Sequence, residues 1–267
     1  MAGSTHALPT AEAGTVVQAR PRHFSPGREA WRRFRRHHLA VLSSVILIAM
    51  VLGILLGPLL WDVPINDIDF KARLESPSWQ HPLGTDDLGQ DLLARVIYGG
   101  RISLAVGLAA MFVAIGVGTV VGAVAGMSRG AVGTGLMWLT DLFLSLPLLP
   151  LLLLVMYLFQ NSFKGVFGSE GGIFILIVIV IGGLRWMPVA RLVRAQFLSL
   201  REKEFVEAAR ALGASKTRQV VRHILPNSLG PVIVAATIDV AAAIIAESTL
   251  SFLARLSARH PDLGAPP

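Results

Sequence analysis

Three carboxylates stand inside apolar stretches of this chain: Asp141, Asp239 and Glu247. An ionisable group at membrane depth is costly, so the default reading is a place on a water-filled path or in a pairing between helices. Asp239 lies near the middle of its stretch. It could meet the amino group of a solute in transit, and it equally reads as a hydrogen-bonding partner for a neighbouring helix. Asp141 and Glu247 lie nearer the ends of theirs and read as packing or interface groups. Carboxylates this few do not suggest a proton relay.

The other reactive residue types build nothing. There is no cysteine, so no disulfide, thiolate metal site or thiol nucleophile can form. Asp62, Asp67 and Asp69 lack the central glycine and closing glutamate of a calcium loop. Seven histidines are scattered or paired as His37-His38, and none makes a metal-binding pair on one helix face. Gly118, Gly122 and Gly126 are followed by no Lys-Ser/Thr, so they are not a phosphate-binding loop. No catalytic residue, metal site or cofactor is expected. The chain does not read as an enzyme, and energy for any active process must come from a partner.

The stretch with the most mechanical character is residues 201–227, REKEFVEAARALGASKTRQVVRHILPN. It reads as two short helices joined at Gly213. Phe205, Ala209 and Leu212 share one face of the first. Gly213 follows as a left-handed cap would, and Ser215 can cap the second helix, which is expected to stop before Pro226. Such an elbow is a stiff lever with an apolar face able to dock in another protein's groove.

These residues must be held by apolar elements. Hydrophobic residues make up 53% of the chain, charged residues only 15%, and mean hydropathy is +0.62. The apolar residues fall in five runs, about 39–61, 102–127, 136–159, 172–188 and 228–253. The first, at about 22 residues, rises roughly 33 Å and is long enough to cross a hydrocarbon core. Glycines 118, 122 and 126 give the second run a flat groove for close helix packing. Pro147 and Pro150 are expected to kink the third. Residues 62–100 are polar and acidic, with an amphipathic helix expected from Asp86 to Tyr98. They read as a solvated face or as a contact for a protein outside.

The net charge of +7 is divided between two basic blocks beside apolar runs, a topology signal rather than a nucleic-acid footprint. One is the tail, residues 1–38, with seven arginines; it also reads as a contact for lipid headgroups. Its first 27 residues, rich in Pro, Gly, Ser and Thr, are expected to be disordered. The other is residues 191–227. Five spans from a cytoplasmic N-terminus put both blocks inside, and the acidic 62–100 segment and the 160–171 loop outside.

The run Glu207-Ala208-Ala209-x-x-x-Gly213, ending in Leu225-Pro226, resembles the EAA loop of ATP-binding-cassette importer permeases. HPLGTDDLGQDLLARVIYGGRISL at 81–104, Asp141 with Pro147, and ESTLSFL at 247–253 are similar to the dipeptide/oligopeptide/nickel branch, C-type subunit. The resemblance covers residues 30–253. It implies an all-α polytopic bundle in a bacterial inner membrane, working with a second permease subunit, cytoplasmic ATPases and an external solute-binding protein. Glu207, Ala208, Ala209 and Gly213 would couple to the ATPase. Family members continue past the LSFL stretch into a glycine-rich turn and a sixth span, whereas residues 254–267 are rich in Arg, Ala and Pro. The expectation is therefore a truncated or frameshifted, inactive remnant as one alternative. An ion-coupled secondary transporter is the other.

Overall fold

The computed structural model describes residues 26–128 and 130–259. The disorder expected for residues 1–27 falls almost wholly outside them, as does the tail beyond Arg259. Among the described residues the regular structure is helical, apart from one isolated bridge between Thr85 and Asp91. The chain divides into two compact units, one ending at Gly53 and one beginning at Ile54.

The first unit holds α1 (Pro26–Arg36) and most of α2 (His38–Leu60). Helix α1 carries five of the tail's arginines, with Arg33 bonded one turn back to Glu29. In α2, Leu42, Val45, Ile46, Leu47 and Ile48 are all exposed, an apolar surface suited to lipid.

The second unit contains α3 (Leu92–Met127), α4 (Ala131–Ser145), α5 (Leu148–Phe167), α6 (Ser169–Gly183), α7 (Trp186–Leu200), α8 (Glu204–Ala211), α9 (Lys216–Gln219) and α10 (Leu225–Arg259). Four helical stretches are long and apolar enough to cross a membrane: α2, α3, α5 and residues 216–253. Helices α6 and α7 meet at a 40° bend and pass the same test only as a pair. The chain is thus an all-α polytopic membrane protein.

Helix α3 organises this unit because one side of it is built from small residues. Gly107, Ala110, Ala114, Gly118, Gly122, Ala125 and Gly126 are buried. In lipid, apolar side chains gain nothing by leaving their solvent, so close backbone approach and dispersion must hold helices together. A Cβ on Gly107 would lie 2.6 Å from Ile244 of α10, and one on Gly182 of α6 would lie 2.7 Å from the carbonyl oxygen of Ala110. Val106, Ala110, Leu152, Leu176, Ile181, Ala243 and Leu250 form the shared core of α3, α5, α6 and α10.

Several boundaries differ from the sequence reading. Residues 86–91 are a turn, and Leu92–Tyr98 are the opening turns of α3, so the expected amphipathic helix is not separate. The third run is broken rather than kinked: Pro147, which has no N–H to donate, starts a new helix, and α5 runs to Phe167. The expected 160–171 loop shrinks to Gly168, at φ +81°. Residues 191–200, expected in a polar loop, belong to α7. Pro226 does not stop its helix. A π-helical turn at Val220–Ile224 hands the ladder on, with the Leu225 N–H donating to the Val220 carbonyl five residues back, and α10 continues through the proline.

Candidate functional site

The elbow is anchored on one side and open on the other. Helix α8 ends in the hydrogen-bond pattern of a Schellman cap: Ala214 N–H donates to Ala209 O (3.0 Å) and Gly213 N–H to Arg210 O (2.9 Å). Gly213 sits at φ +80°, where a side chain is strained even though the space around it is empty. Ser215 Oγ then accepts from Arg218 N–H and opens α9. Gln219, buried, donates its side-chain amide to Ala214 O at 2.7 Å and closes the elbow.

The buried face differs from the one the sequence suggested. Val206 and Ala209 point inward, and Val206 packs with Val189, Val193, Phe197, Ile224 and Val232. Phe205 is 42% exposed and Leu212 89% exposed. Glu207 and Ala208 are also exposed. Of the four residues singled out in the motif, only Ala209 is buried against the chain's own core.

Through Val206 the elbow shares a buried cluster with Val189, Val193 and Phe197 of α7, and α7 lies in the glycine groove of α3. A Cβ on Gly118 would fall 2.6 Å from Val189 Cβ. On Gly122 it would meet Ala190 O at 2.5 Å, and on Gly126 it would meet Phe197 Cβ at 2.6 Å. Arg201 Nη1 donates to Gly126 O at 3.1 Å, pinning the end of α7 to the end of α3. Val206 of the elbow and the Val193 and Phe197 that meet the α3 glycines therefore belong to one buried cluster.

Each carboxylate noted inside the apolar runs has a partner. Arg185, at the α6–α7 bend, donates to Asp239 Oδ1 of α10 at 2.7 Å, and both side chains are mostly buried. Asp239 Oδ2 makes no hydrogen bond among the described residues. Arg191 of α7 pairs with Asp141 of α4. Glu247 accepts from Ser103 Oγ and Ser251 Oγ, each at 2.8 Å. The sequence reading paired neither Arg185 nor Arg191: it counted Arg191 as loop charge and passed over Arg185 inside the fourth apolar run, where a basic residue near the end of the run was the available signal.

At the far end of α3, residues 62–91 fold into a cap. Asp91 is the N-cap of α3. Its Oδ1 accepts from Ala94 N–H (2.7 Å) and Trp61 Nε1–H (3.2 Å), while Oδ2 meets His81 Nδ1 at 2.9 Å. Burial alone would push its carboxyl up, but these bonds and the charge of a protonated His81 outweigh burial and hold it below the usual range. Asp86 behaves alike: burial opposes its ionisation, and the N–H groups of Gln90 and Leu88 with the Arg95 guanidinium win. Thr85 fastens the cap by donating to Ala72 O and accepting from Glu75 N–H.

Residues 118–265 match the family described as "Binding-protein-dependent transport system inner membrane component". The chain belongs to this family. Residues 25–77 of the permease match "N-terminal TM domain of oligopeptide transport permease C". The permease is 38% identical over 234 residues to the oligopeptide transport system permease protein OppC of Haemophilus influenzae, covering 85% of this chain and 71% of the relative. It is 38% identical over 222 residues to OppC of Mycobacterium bovis (83% and 73%). A Brucella abortus protein named as a peptide permease is 35% identical over 267 residues, all of this chain and 81% of the relative. Both the family match to residue 265 and this last alignment take in the segment after Leu253 that the sequence reading set apart. These findings do not favour an ion-coupled secondary transporter.

Proposed function

We propose that the permease carries peptides inward across a bacterial inner membrane, and that the α8–Gly213–α9 elbow takes up the work of ATP hydrolysis by partner chains. Peptides rather than nickel are favoured because the relatives above are named as peptide permeases. The observation that carries the coupling role is the split character of the elbow. Phe205 and Leu212 face outward beside Glu207 and Ala208, while Val206 and Ala209 are buried, Val206 in one cluster with α7. A partner ATPase gripping the outer face would move α7 and, through the glycine groove, α3.

The remaining assignments follow from this. The elbow and the basic N-terminal tail lie on the cytoplasmic side, by the bias of Lys and Arg in the connecting segments. The cap around Asp91 then faces outside, where exposed Phe70, Leu74 and Trp79 offer contacts to a solute-binding protein. A second permease subunit completes the path, with membrane lipid around both. No nucleic acid is involved. Asp239 Oδ2 is the atom through which this chain would meet a solute amine.

The elbow is tested by Gly213→Val. A β-branched residue resists the left-handed conformation, at about 1–2 kcal/mol or more, so the two helices reorient. With partner chains present, ATP hydrolysis continues and peptide uptake falls steeply. Normal uptake by this variant would refute the coupling role. Uptake by the unaltered transporter that ignores peptides but retains ATP dependence would instead remove the substrate assignment and leave the elbow standing.

A further inference from the structure

A cleft of about 980 Å³ opens where the elbow meets the ends of the spans. One wall is apolar: Val124 and Met127 in the last turn of α3, a helix long enough to cross a membrane, and Val132 in the first turn of the shorter apolar helix α4. Val124 and Val132 are 46% and 57% exposed, so this wall is open. The opposite wall is basic, with Arg201, Arg210 and Lys216. No carboxylate lines the cleft among the described residues. Arg201 is partly engaged, by Gly126 O at 3.1 Å and by the exposed Glu202 at 3.7 Å. Arg210 and Lys216 enter no ion pair among the described residues.

The cleft is therefore oily on the side that continues into the bilayer and cationic on the side that leaves it. A free anion would use only the second wall, and an apolar solute only the first. We infer that this cleft is a binding site for an anionic phospholipid, whose phosphate sits between Arg210 and Lys216 while its upper acyl chain lies along Val124, Met127 and Val132. The volume is at the upper end for small-ligand sites and fits a headgroup with the first part of its tails. Clusters of Lys and Arg at the membrane surface favour such headgroups. Because Arg210 is in the last turn of α8 and Lys216 in the first of α9, the lipid would bridge the two arms of the elbow around Gly213. The inference rests on the membrane location of the chain, and it fails or holds independently of the peptide and ATP assignments.

The test uses the full chain purified with its co-expressed partner subunits. The complex is stripped of lipid in detergent and titrated with phosphatidylglycerol, phosphatidylcholine or inorganic phosphate, with bound lipid counted by native mass spectrometry. Phosphatidylglycerol is expected to be retained over phosphatidylcholine. Lys216→Gln and Arg210→Gln each weaken that retention about fivefold, the worth of one basic residue at a membrane surface, without altering phosphatidylcholine. Arg222→Gln, an exposed basic residue outside the cleft, leaves retention unchanged. Equal retention of the two lipids overturns the site. So does equal weakening by Arg222→Gln, which would mean diffuse surface charge. Displacement of phosphatidylglycerol by millimolar inorganic phosphate overturns the lipid assignment and leaves a free-anion site. Both the lipid comparison and the phosphate arm need no variant.

Discussion

Asp91 shows how a single carboxylate can fix the entry to a span. It receives N–H donors from Trp61 and Ala94 and faces His81, while 1% of its side chain reaches solvent. Its folded-state pKa lies below the unfolded value, so the native state holds fewer protons. The stabilisation is complete above the ordinary carboxylate range near about pH 4 and is lost as pH falls through the depressed folded value. Asp86, lowered in the same direction, adds to it. Hydrogen exchange, corrected for intrinsic rates, should show the amides of Leu88, Gln90 and Ala94 keeping their protection down to about pH 4 and losing it as pH falls further, through the depressed folded values. In Asp91→Ala, which removes the oxygen that accepts from Ala94, Ala94 should be weakly protected throughout. Protection that stays flat to the acid end would mean that these carboxylates do not hold the cap. This segment was legible in the sequence as polar, acidic and broken by Pro and Gly. Its fold was not, because the bonds to Asp91 come from residues 10 and 30 positions away and leave no local periodicity.

Helices α3 and α7 form the stiff member of the molecule, and each half of that pairing left a different trace. Gly118, Gly122 and Gly126 repeat every four residues, so a groove could be read directly from the sequence. The helix that fills it could not. Val189, Val193 and Phe197 carry the same spacing, but Arg191, Arg194 and Arg201 stand among them, and these charges put the stretch with the polar loop that follows. Two of the arginines have partners away from the groove: Arg191 turns to Asp141 and Arg201 caps the end of α3. The same dilution hid the continuity across Pro226, where a proline normally ends a helix and here a π-helical turn absorbs it. The groove makes a specific prediction. Gly122→Val places its Cβ against the Ala190 carbonyl, a backbone atom that cannot rotate away. Overpacking of this kind costs about 1–3 kcal/mol. Gly116→Val, on the same helix with nothing within 4 Å, is the control. The thermal midpoint in detergent should drop for the first and hold for the second, and equal midpoints would show that the groove is not what fixes α7.

On the scale of the whole permease, Arg185 and Asp239 connect two elements far apart in sequence. Arg185 occupies the α6–α7 bend, and Asp239 lies about midway along the rod that begins at the elbow as α9 and continues through α10. The pair therefore ties the broken span to the helix the elbow would drive. Removing one member leaves a buried charge alone, which costs about 3–5 kcal/mol, whereas removing both relieves that penalty. Arg185→Gln and Asp239→Asn should each lower the thermal midpoint, and the double variant should recover part of the loss, a coupling that independent sites would not show. The same cycle separates the two roles considered for Asp239. If stability follows the cycle and uptake follows stability, the carboxylate serves to hold Arg185. If the double variant is as stable as the unaltered chain yet does not transport, the free Oδ2 is needed on the path itself. Additive losses across the cycle would mean that the pair is not a unit, and that the bend is held by Gly182 against α3 instead.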